Sequence, residues 1–129
     1  MKMEHVALNV KDPRAMAEWY RQHLDFTVAR EMREAPYTHF LADSAGAVML
    51  EIYHNPPDAT PEYNAMDPLQ LHLAFVSADP EADKERLVAG GAALVKEERH
   101  GDGSHLVMLR DPWGLPIQLC KRGEPMLRP

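Results

Sequence analysis

The sequence predicts an α+β fold built from two βαβββ modules. A segment near the start of the chain recurs 67 residues later, and each copy precedes the same series of predicted strands. The chain has 129 residues, which is about twice the length of one such module and enough to bury a core without disulfides or metal.

The repeat aligns residues 5–31 with residues 72–98 without a gap. Eight of these 27 positions are identical, where average residue usage would give roughly two. The identical pairs are His5/His72, Ala7/Ala74, Asp12/Asp79, Pro13/Pro80, Ala15/Ala82, Glu18/Glu85, Val28/Val95 and Glu31/Glu98. The same offset places Glu51 over Gln118. We therefore interpret the chain as two copies of one ancestral unit.

Each half begins with a short apolar strand that leads into a helix. The strands are predicted at residues 5–10 and 71–76. Asp12 and Asp79 are placed to cap the two helices, and a proline follows each at the first helical position, where a missing N–H does no harm. The second helix is predicted to end at the Gly90-Gly91 pair. The first helix has an apolar face formed by Met16, Trp19, Tyr20, His23 and Leu24.

Three extended segments follow each helix, separated by turn signals rich in Gly, Asp and Ser. They are predicted at residues 26–30, 37–42 and 47–53 in the first half, and at 93–97, 105–110 and 116–121 in the second. The predicted organisation is one domain with a first module at 1–54, a proline-rich linker at 55–69, a second module at 70–121 and a tail at 122–129.

Composition excludes several classes of function. The chain has 20 acidic and 14 basic residues, so it lacks the basic surface that a nucleic-acid-binding protein needs. No apolar run approaches the roughly 20 residues of a membrane helix. A single cysteine, Cys120, rules out an internal disulfide framework. We expect a cytoplasmic protein that binds a small molecule and neither nucleic acid nor membrane.

The repeat also predicts a metal site. His5 and His72 open the first strands of the two halves, while Glu51 and Gln118 lie in the last strands. If the halves pack about a pseudo-two-fold axis, these four residues converge. Imidazole and carboxylate ligands suit zinc, nickel, cobalt, iron or manganese. Glu51 stands among large apolar residues, so its carboxylate should have a strong partner or face solvent.

The pattern resembles the vicinal oxygen chelate superfamily, which includes glyoxalase I, extradiol dioxygenases and bleomycin resistance proteins. The resemblance extends from His5 to Lys121, over HVALNV with Asp12-Pro13, Leu50-Glu51-Ile52, HLAFV from His72, and DPWGLPIQL ending at Leu119. It implies two modules forming a cupped mixed sheet around a metal or ligand. The ligand positions of the glyoxalase-like members map onto His5, Glu51, His72 and Gln118.

Gln118 departs from this family pattern, because many members have glutamate at that position. A glutamine ligand is neutral and leaves the site with one protein carboxylate instead of two. The resemblance implies a glyoxalase-like lyase or isomerase that moves a proton next to a carbonyl through an enolate. Glu51 is then the catalytic base as well as a ligand, since the Gln118 amide cannot accept the proton.

Two alternatives stay open at this stage. One is a metal-free protein that binds and sequesters its ligand, as bleomycin resistance proteins do. The other is a dioxygenase-like oxidoreductase, against which the missing glutamate at Gln118 counts. By analogy with the family, we also expect a homodimer.

Overall fold

The computed structural model describes residues 1–47 and 49–127. Its chain contacts divide it into two compact units, residues 1–61 and 62–129. The first unit contains β1 (His5–Asn9), α1 (Pro13–His23), β2 (Thr27–Glu31), β3 (His39–Ala42) and β4 (Met49–Tyr53). The second contains β5 (Leu73–Val76), α2 (Pro80–Ala89), β6 (Ala93–Arg99), β7 (His105–Arg110) and β8 (Pro116–Lys121). The predicted α+β order, βαβββ twice, is confirmed.

Both helices begin at the predicted caps. The carboxylate of Asp12 accepts a hydrogen bond from the Ala15 amide at 3.1 Å, and that of Asp79 accepts one from the Ala82 amide at 3.2 Å. The two cap residues also share nearly the same backbone angles. An Asp-Pro pair therefore starts each helix in the same way, because the aspartate satisfies an N–H that has no partner inside the helix.

Each unit contains one four-stranded mixed sheet. The orders are β1-β4-β3-β2 and β5-β8-β7-β6, with the first pair in each sheet parallel and the others antiparallel. Ala7 pairs with Glu51 in the first sheet, and Ala74 pairs with Gln118 in the second. Both members of the pair differ by 67 residues between sheets, so the repeat extends to the pairing register.

Strand alternation divides each sheet into two faces. Leu50 and Ile52 are buried on the face that α1 covers, while Ile117 and Leu119 are buried on the face that α2 covers. Glu51 and Gln118 are each one residue away from these buried residues, so each lies on the face of its sheet that the helix does not cover. We call this face of each sheet the open face.

The first strand of the second module starts later than the sequence indicated. The predicted strand at 71–76 is observed only from Leu73, so His72 lies just before it. In the first module, the Met49 amide donates to the Glu4 carbonyl and extends the parallel pairing. The repeat-equivalent residue is Pro116, which has no N–H to donate to Leu71. This missing hydrogen bond accounts for the shorter β5.

Arg110 ties the stretch that precedes β5 to the second unit. Its guanidinium donates to the carbonyls of Tyr63 at 2.8 Å, Met66 at 2.7 Å and Gly114 at 3.1 Å. Tyr63 lies in a 3-10 turn, Tyr63–Ala65, within the stretch that the sequence predicted as linker. Part of the predicted linker is thus hydrogen-bonded to the second sheet.

A few expectations fall on residues outside the described part of the chain. Val48 belongs to the predicted strand at 47–53, and Arg128 and Pro129 belong to the predicted tail. Within that tail, Met126 and Leu127 are largely exposed. Neither α1 nor α2, nor any other helix among the described residues, has the length and apolarity to cross a membrane.

Candidate functional site

The structure brings His5 and Glu51 together on the open face of the first sheet. His5 pairs with Met49 on the neighbouring strand, so Glu51 lies one diagonal step away. The His5 Nε2 atom is 3.1 Å from a Glu51 carboxylate oxygen. Two ligands with bonds of about 2.1 Å to one ion lie roughly 3.0 to 3.4 Å apart in octahedral or tetrahedral geometry. The observed separation fits that range.

The Glu51 carboxylate is only partly accessible. Its side chain is 20% exposed, and its neighbours across the sheet are Ala7 and Phe40. The His5 ring also meets the ring of Phe40 edge-on, with the centroids 6.1 Å apart. An apolar residue therefore borders the histidine–carboxylate pair, and His5 is a partner of the kind that was one of the two expectations for Glu51.

A second carboxylate orients the His5 ring. The Nδ1 atom of His5 lies 2.9 Å from a carboxylate oxygen of the exposed Glu4. A ring with its proton on Nδ1 donates to Glu4 and keeps the Nε2 lone pair for an ion, whereas a proton on Nε2 is donated to Glu51. A carboxylate on the far nitrogen is a common support for a metal-binding histidine, because it fixes the tautomer and raises ligand basicity.

His72 has the same kind of support in the second module. Its Nδ1 atom lies 2.8 Å from the carbonyl oxygen of Pro68. A carbonyl can only accept, so Nδ1 carries a proton, and in the neutral ring the lone pair is on Nε2. Both predicted histidine ligands therefore have an oxygen on Nδ1 and use Nε2 as the atom suited to a metal.

Gln118 occupies the position in the second sheet that Glu51 occupies in the first. Its Oε1 atom accepts a hydrogen bond from the Cys120 thiol at 3.3 Å, so the amide oxygen points along the strand towards Cys120. Burial raises the pKa of the Cys120 thiol, which keeps it protonated and able to donate. The structure thus pairs His5 with Glu51, while the convergence of all four predicted ligands on one ion stays a prediction.

Gln118 also borders a cavity whose lining residues all belong to the second unit. The cavity has a volume of about 240 Å³ and a mostly apolar lining. Its lining residues are Asp67, Pro68, Leu69, Val95, Lys96, Glu98, Leu106, Met108 and Gln118.

A second cluster of possible metal ligands was not predicted from the sequence. Single ligand atoms of Glu81, Glu97 and His105 lie within 4.8 Å of one another. The ammonium of Lys84 lies among them, 2.7 Å from Glu81 and 2.9 Å from Glu97. Lys84 and His105 hold the pKa of Glu97 down at about 2. A fixed cation already occupies the place where a metal would bind, so we interpret this cluster as an ion-pair network.

His39 and His105, which the sequence left open as pocket residues, are both buried. They alternate with Phe40 and Leu106, so they lie on the sheet faces opposite to Glu51 and Gln118. The Nδ1 atom of His39 lies 2.7 Å from the carbonyl oxygen of Tyr37, and His105 lies 2.8 Å from Glu97. Both histidines therefore belong to the packed faces.

Comparisons with known proteins agree with this architecture. An antibiotic-binding protein, TnmS3, from Streptomyces sp. CB03234 superposes with a TM-score of 0.73 at 18% identity, over 95% of this chain and 96% of its own. A glyoxalase family protein from Enterococcus faecalis gives 0.69 at 27% identity, over 93% and 97%. Lactoylglutathione lyase from Agrobacterium tumefaciens gives 0.67 at 22% identity, over 93% and 92%.

Comparison of the sequence with known proteins gives a match to a superfamily. A search of curated proteins finds no match for this sequence. The model of the Glyoxalase/Bleomycin resistance protein/Dioxygenase superfamily matches residues 2–119, which is nearly the whole chain. The chain therefore belongs to the Glyoxalase/Bleomycin resistance protein/Dioxygenase superfamily.

Proposed function

We propose that this protein is a divalent-metal-dependent enzyme that binds two adjacent oxygens of a small substrate and moves a proton next to a carbonyl group. His5, Glu51, His72 and Gln118 would hold the metal, which is zinc, nickel, cobalt, iron or manganese. The observation that carries the proposal is the 3.1 Å separation between His5 Nε2 and Glu51 on the open face of the first sheet.

The four donor groups suit a divalent ion of intermediate softness, such as zinc or nickel. Two imidazole nitrogens, one carboxylate and one amide oxygen match the ligand preferences of such metals. Glu4 and Pro68 hold the Nδ1 atoms of the two histidines, which leaves Nε2 available on each ring. When bound, the ion would supply Lewis acidity to the two substrate oxygens.

Glu51 is the residue that we assign to proton transfer. It is the only carboxylate among the four positions, because the amide of Gln118 neither ionises nor accepts a proton at neutral pH. Its partly buried carboxylate would take the proton from the carbon next to the carbonyl and return it to the neighbouring carbon. Phe40 stands opposite Glu51 on the neighbouring strand, and its ring contacts that of His5, so the proton transfer would take place beside an apolar side chain.

A metal-free sequestering protein is the second candidate. The mostly apolar cavity beside Gln118 favours it, because an apolar ligand can bind there without any ion. The superfamily includes both kinds of protein: one similar structure is an antibiotic-binding protein and another is a lactoylglutathione lyase. In either case the partner is a small molecule, and we expect the chain to act as a homodimer.

Metal analysis separates the two candidates. We expect protein purified without added metal to take up about one equivalent of Zn²⁺ or Ni²⁺ per chain after reconstitution and desalting. The variants His5→Ala and His72→Ala should take up much less. His100→Ala is the matched control, because His100 is an exposed histidine on the loop after β6 and should not alter uptake. No uptake by the wild-type protein would overturn the metalloenzyme proposal in favour of sequestration.

A further inference from the structure

We infer that the cavity beside Gln118 is the subsite for a neutral, apolar arm of the substrate. The inference rests on the proposed function, since it assigns the adjacent oxygens of that substrate to the metal ligands. It adds a substrate class: a small molecule with two neighbouring oxygens at one end and an uncharged aromatic or short alkyl group at the other.

The floor of the cavity is formed by two rows of side chains on the open face of the second sheet. Gln118, Met108 and Lys96 stand opposite one another on three adjacent strands. Leu106 and Glu98 form the next row. The predicted metal ligand Gln118 is thus followed across the sheet by the apolar side chain of Met108. A substrate held at Gln118 would extend its remaining atoms over this surface.

A β-bulge adds a further apolar residue to the cavity. The pairing of β6 with β7 shifts between Leu94 and Lys96, so Val95 is the extra residue. In the first module the corresponding shift leaves Ala29 as the extra residue, whereas Val28, the repeat partner of Val95, is paired with Leu41. Bulges redirect side chains. This bulge accounts for why Val95 lines a cavity in the second module.

The opposite wall of the cavity is a hydrogen-bonded turn. The Asp67 carboxylate accepts from the Leu69 amide at 2.8 Å, and the Gln70 amide donates to the Asp67 carbonyl at 2.9 Å. Pro68 in this turn also holds His72 through its carbonyl oxygen. The wall is therefore fixed to a predicted metal ligand and requires little ordering when a ligand binds.

Charge and size restrict what the cavity can hold. Lys96, its one basic lining residue, has its ammonium 2.6 Å from Glu98, and Asp67 adds a second carboxylate. An anionic conjugate would find no uncompensated cation there. The volume of about 240 Å³ exceeds the roughly 150 Å³ of an apolar cavity known to take benzene. It is smaller than the sites that take drug-sized ligands.

Hydroxamates test this assignment, because they present two adjacent oxygens to a metal. Binding of acetohydroxamate, benzohydroxamate and 4-carboxybenzohydroxamate to the Zn²⁺-loaded protein is measured by isothermal titration calorimetry. We expect benzohydroxamate to bind about tenfold more tightly than acetohydroxamate, because its ring loses apolar surface to the cavity. The added carboxylate should remove most of that gain.

Surface variants make the test specific to the cavity. Val95→Asp and Leu69→Asp change exposed side chains of the lining, and we expect each to bring the two neutral probes within twofold of each other. Val28→Asp is the matched control at the repeat-equivalent position, also exposed, and should keep the tenfold preference. Equal affinities of the two neutral probes in the wild-type protein, or a preference that survives Val95→Asp, would overturn the inference.

A second measurement distinguishes failure of the cavity from failure of the metal site. If no hydroxamate binds, the metal proposal fails, and the metal-free protein is then titrated with acetophenone after ¹³C-methyl labelling of methionine. The Met108 signal is assigned from its loss in Met108→Leu. A saturable shift of that signal supports an apolar subsite without the metal, and a signal that stays unmoved overturns the subsite as well.

Discussion

The Nε2 atom of His5 lies 3.1 Å from the carboxylate of Glu51, across two adjacent parallel strands. The two residues are far apart in the sequence, and their contact depends on the strand register that pairs His5 with Met49. The 67-residue repeat makes His72 and Gln118 the equivalent residues of the second unit, where His72 lies just before β5 and Gln118 pairs with Ala74. The two last-strand residues differ in charge, because Glu51 is a carboxylate and Gln118 a neutral amide. Substitutions that exchange these charges are therefore the most direct test of the proposed site.

Glu51 and Gln118 should have opposite effects on metal affinity. We expect Glu51→Gln to weaken Zn²⁺ binding by about tenfold or more, because it removes the only carboxylate of the proposed donor set. Gln118→Glu should tighten binding by adding a second carboxylate. Competition with a chromophoric chelator measures both changes, with Glu85→Gln on the exposed face of α2 as control. Equal affinities for all three variants would contradict the assignment.

Turnover should separate the two residues as well. Once a substrate is identified, Glu51→Gln at saturating metal should abolish kcat, because the amide cannot take the proton. Gln118→Glu should retain measurable turnover, because Glu51 is still present. Initial rates of the two variants at matched metal occupancy make the comparison, and an active Glu51→Gln enzyme would remove Glu51 from the role of base.

Glu4 should act on the metal through His5. Its carboxylate holds Nδ1 at 2.9 Å, and loss of such a partner commonly lowers metal affinity by about 10- to 100-fold. Because Glu4 is exposed, we expect Glu4→Gln at the low end of that range, with Glu4→Asp closer to wild type. The urea midpoints of the metal-free proteins should stay the same. If they do and the affinity is unchanged, Glu4 has no role in positioning His5.

Glu97 should make stability depend on pH in acid. Lys84 and His105 lower its pKa from 4.5 to about 2, so the folded protein binds the proton more weakly than the unfolded chain. The stabilisation is therefore present above pH 4.5 and is lost as the pH falls from about 4.5 to 2. We expect Glu97→Gln to lower the urea midpoint at pH 7 and to flatten its decline in this range. Glu85→Gln, measured in parallel, should follow the wild-type curve.

The sequence could predict those features that depend on local pattern and on the repeat. Asp12 and Asp79 cap helices because the cap interaction spans only three residues. Glu51 and Gln118 could be assigned to equivalent positions in their own sheets, because alternation and the repeat together fix the face on which each residue lies. The repeat carried more information than any single motif, since it linked residues that lie far apart along the chain.

Other features depend on side-chain contacts for which the sequence contains no periodic signal. Lys84 reaches Glu97 between a helix and a strand, and the first-module counterparts of Glu81, Glu97 and His105 are Arg14, Arg30 and Thr38. The repeat could therefore not reveal that cluster. The two β-bulges, at Ala29 and Val95, are likewise not at equivalent positions of the repeat, since Val95 corresponds to Val28. The position of a bulge depends on strand pairing, because one extra residue leaves the sequence pattern almost unchanged.

Gly114 should be far less tolerant of a side chain than Gly46, although both have positive φ, 88° and 66°. A Cβ atom at Gly114 would lie 2.6 Å from the Cβ of Asn64 and 2.7 Å from its backbone nitrogen, whereas at Gly46 nothing lies within 4 Å. Gly46→Ala carries only the backbone cost of about 1–2 kcal/mol. Gly114→Ala adds a clash with the backbone, so we expect a loss of more than about 3 kcal/mol in the free energy of unfolding.

The clash should also have a local consequence. The Tyr63–Ala65 turn is held to the second sheet by Arg110, which bonds both the Tyr63 and the Gly114 carbonyls. Displacing Asn64 in Gly114→Ala should weaken those bonds and speed amide hydrogen exchange of the turn. Gly46→Ala should leave that exchange unchanged, because Gly46 lies in the other unit. Equal losses of stability and equal exchange rates in the two variants would show that backbone conformation alone, without the contact to Asn64, requires glycine at position 114.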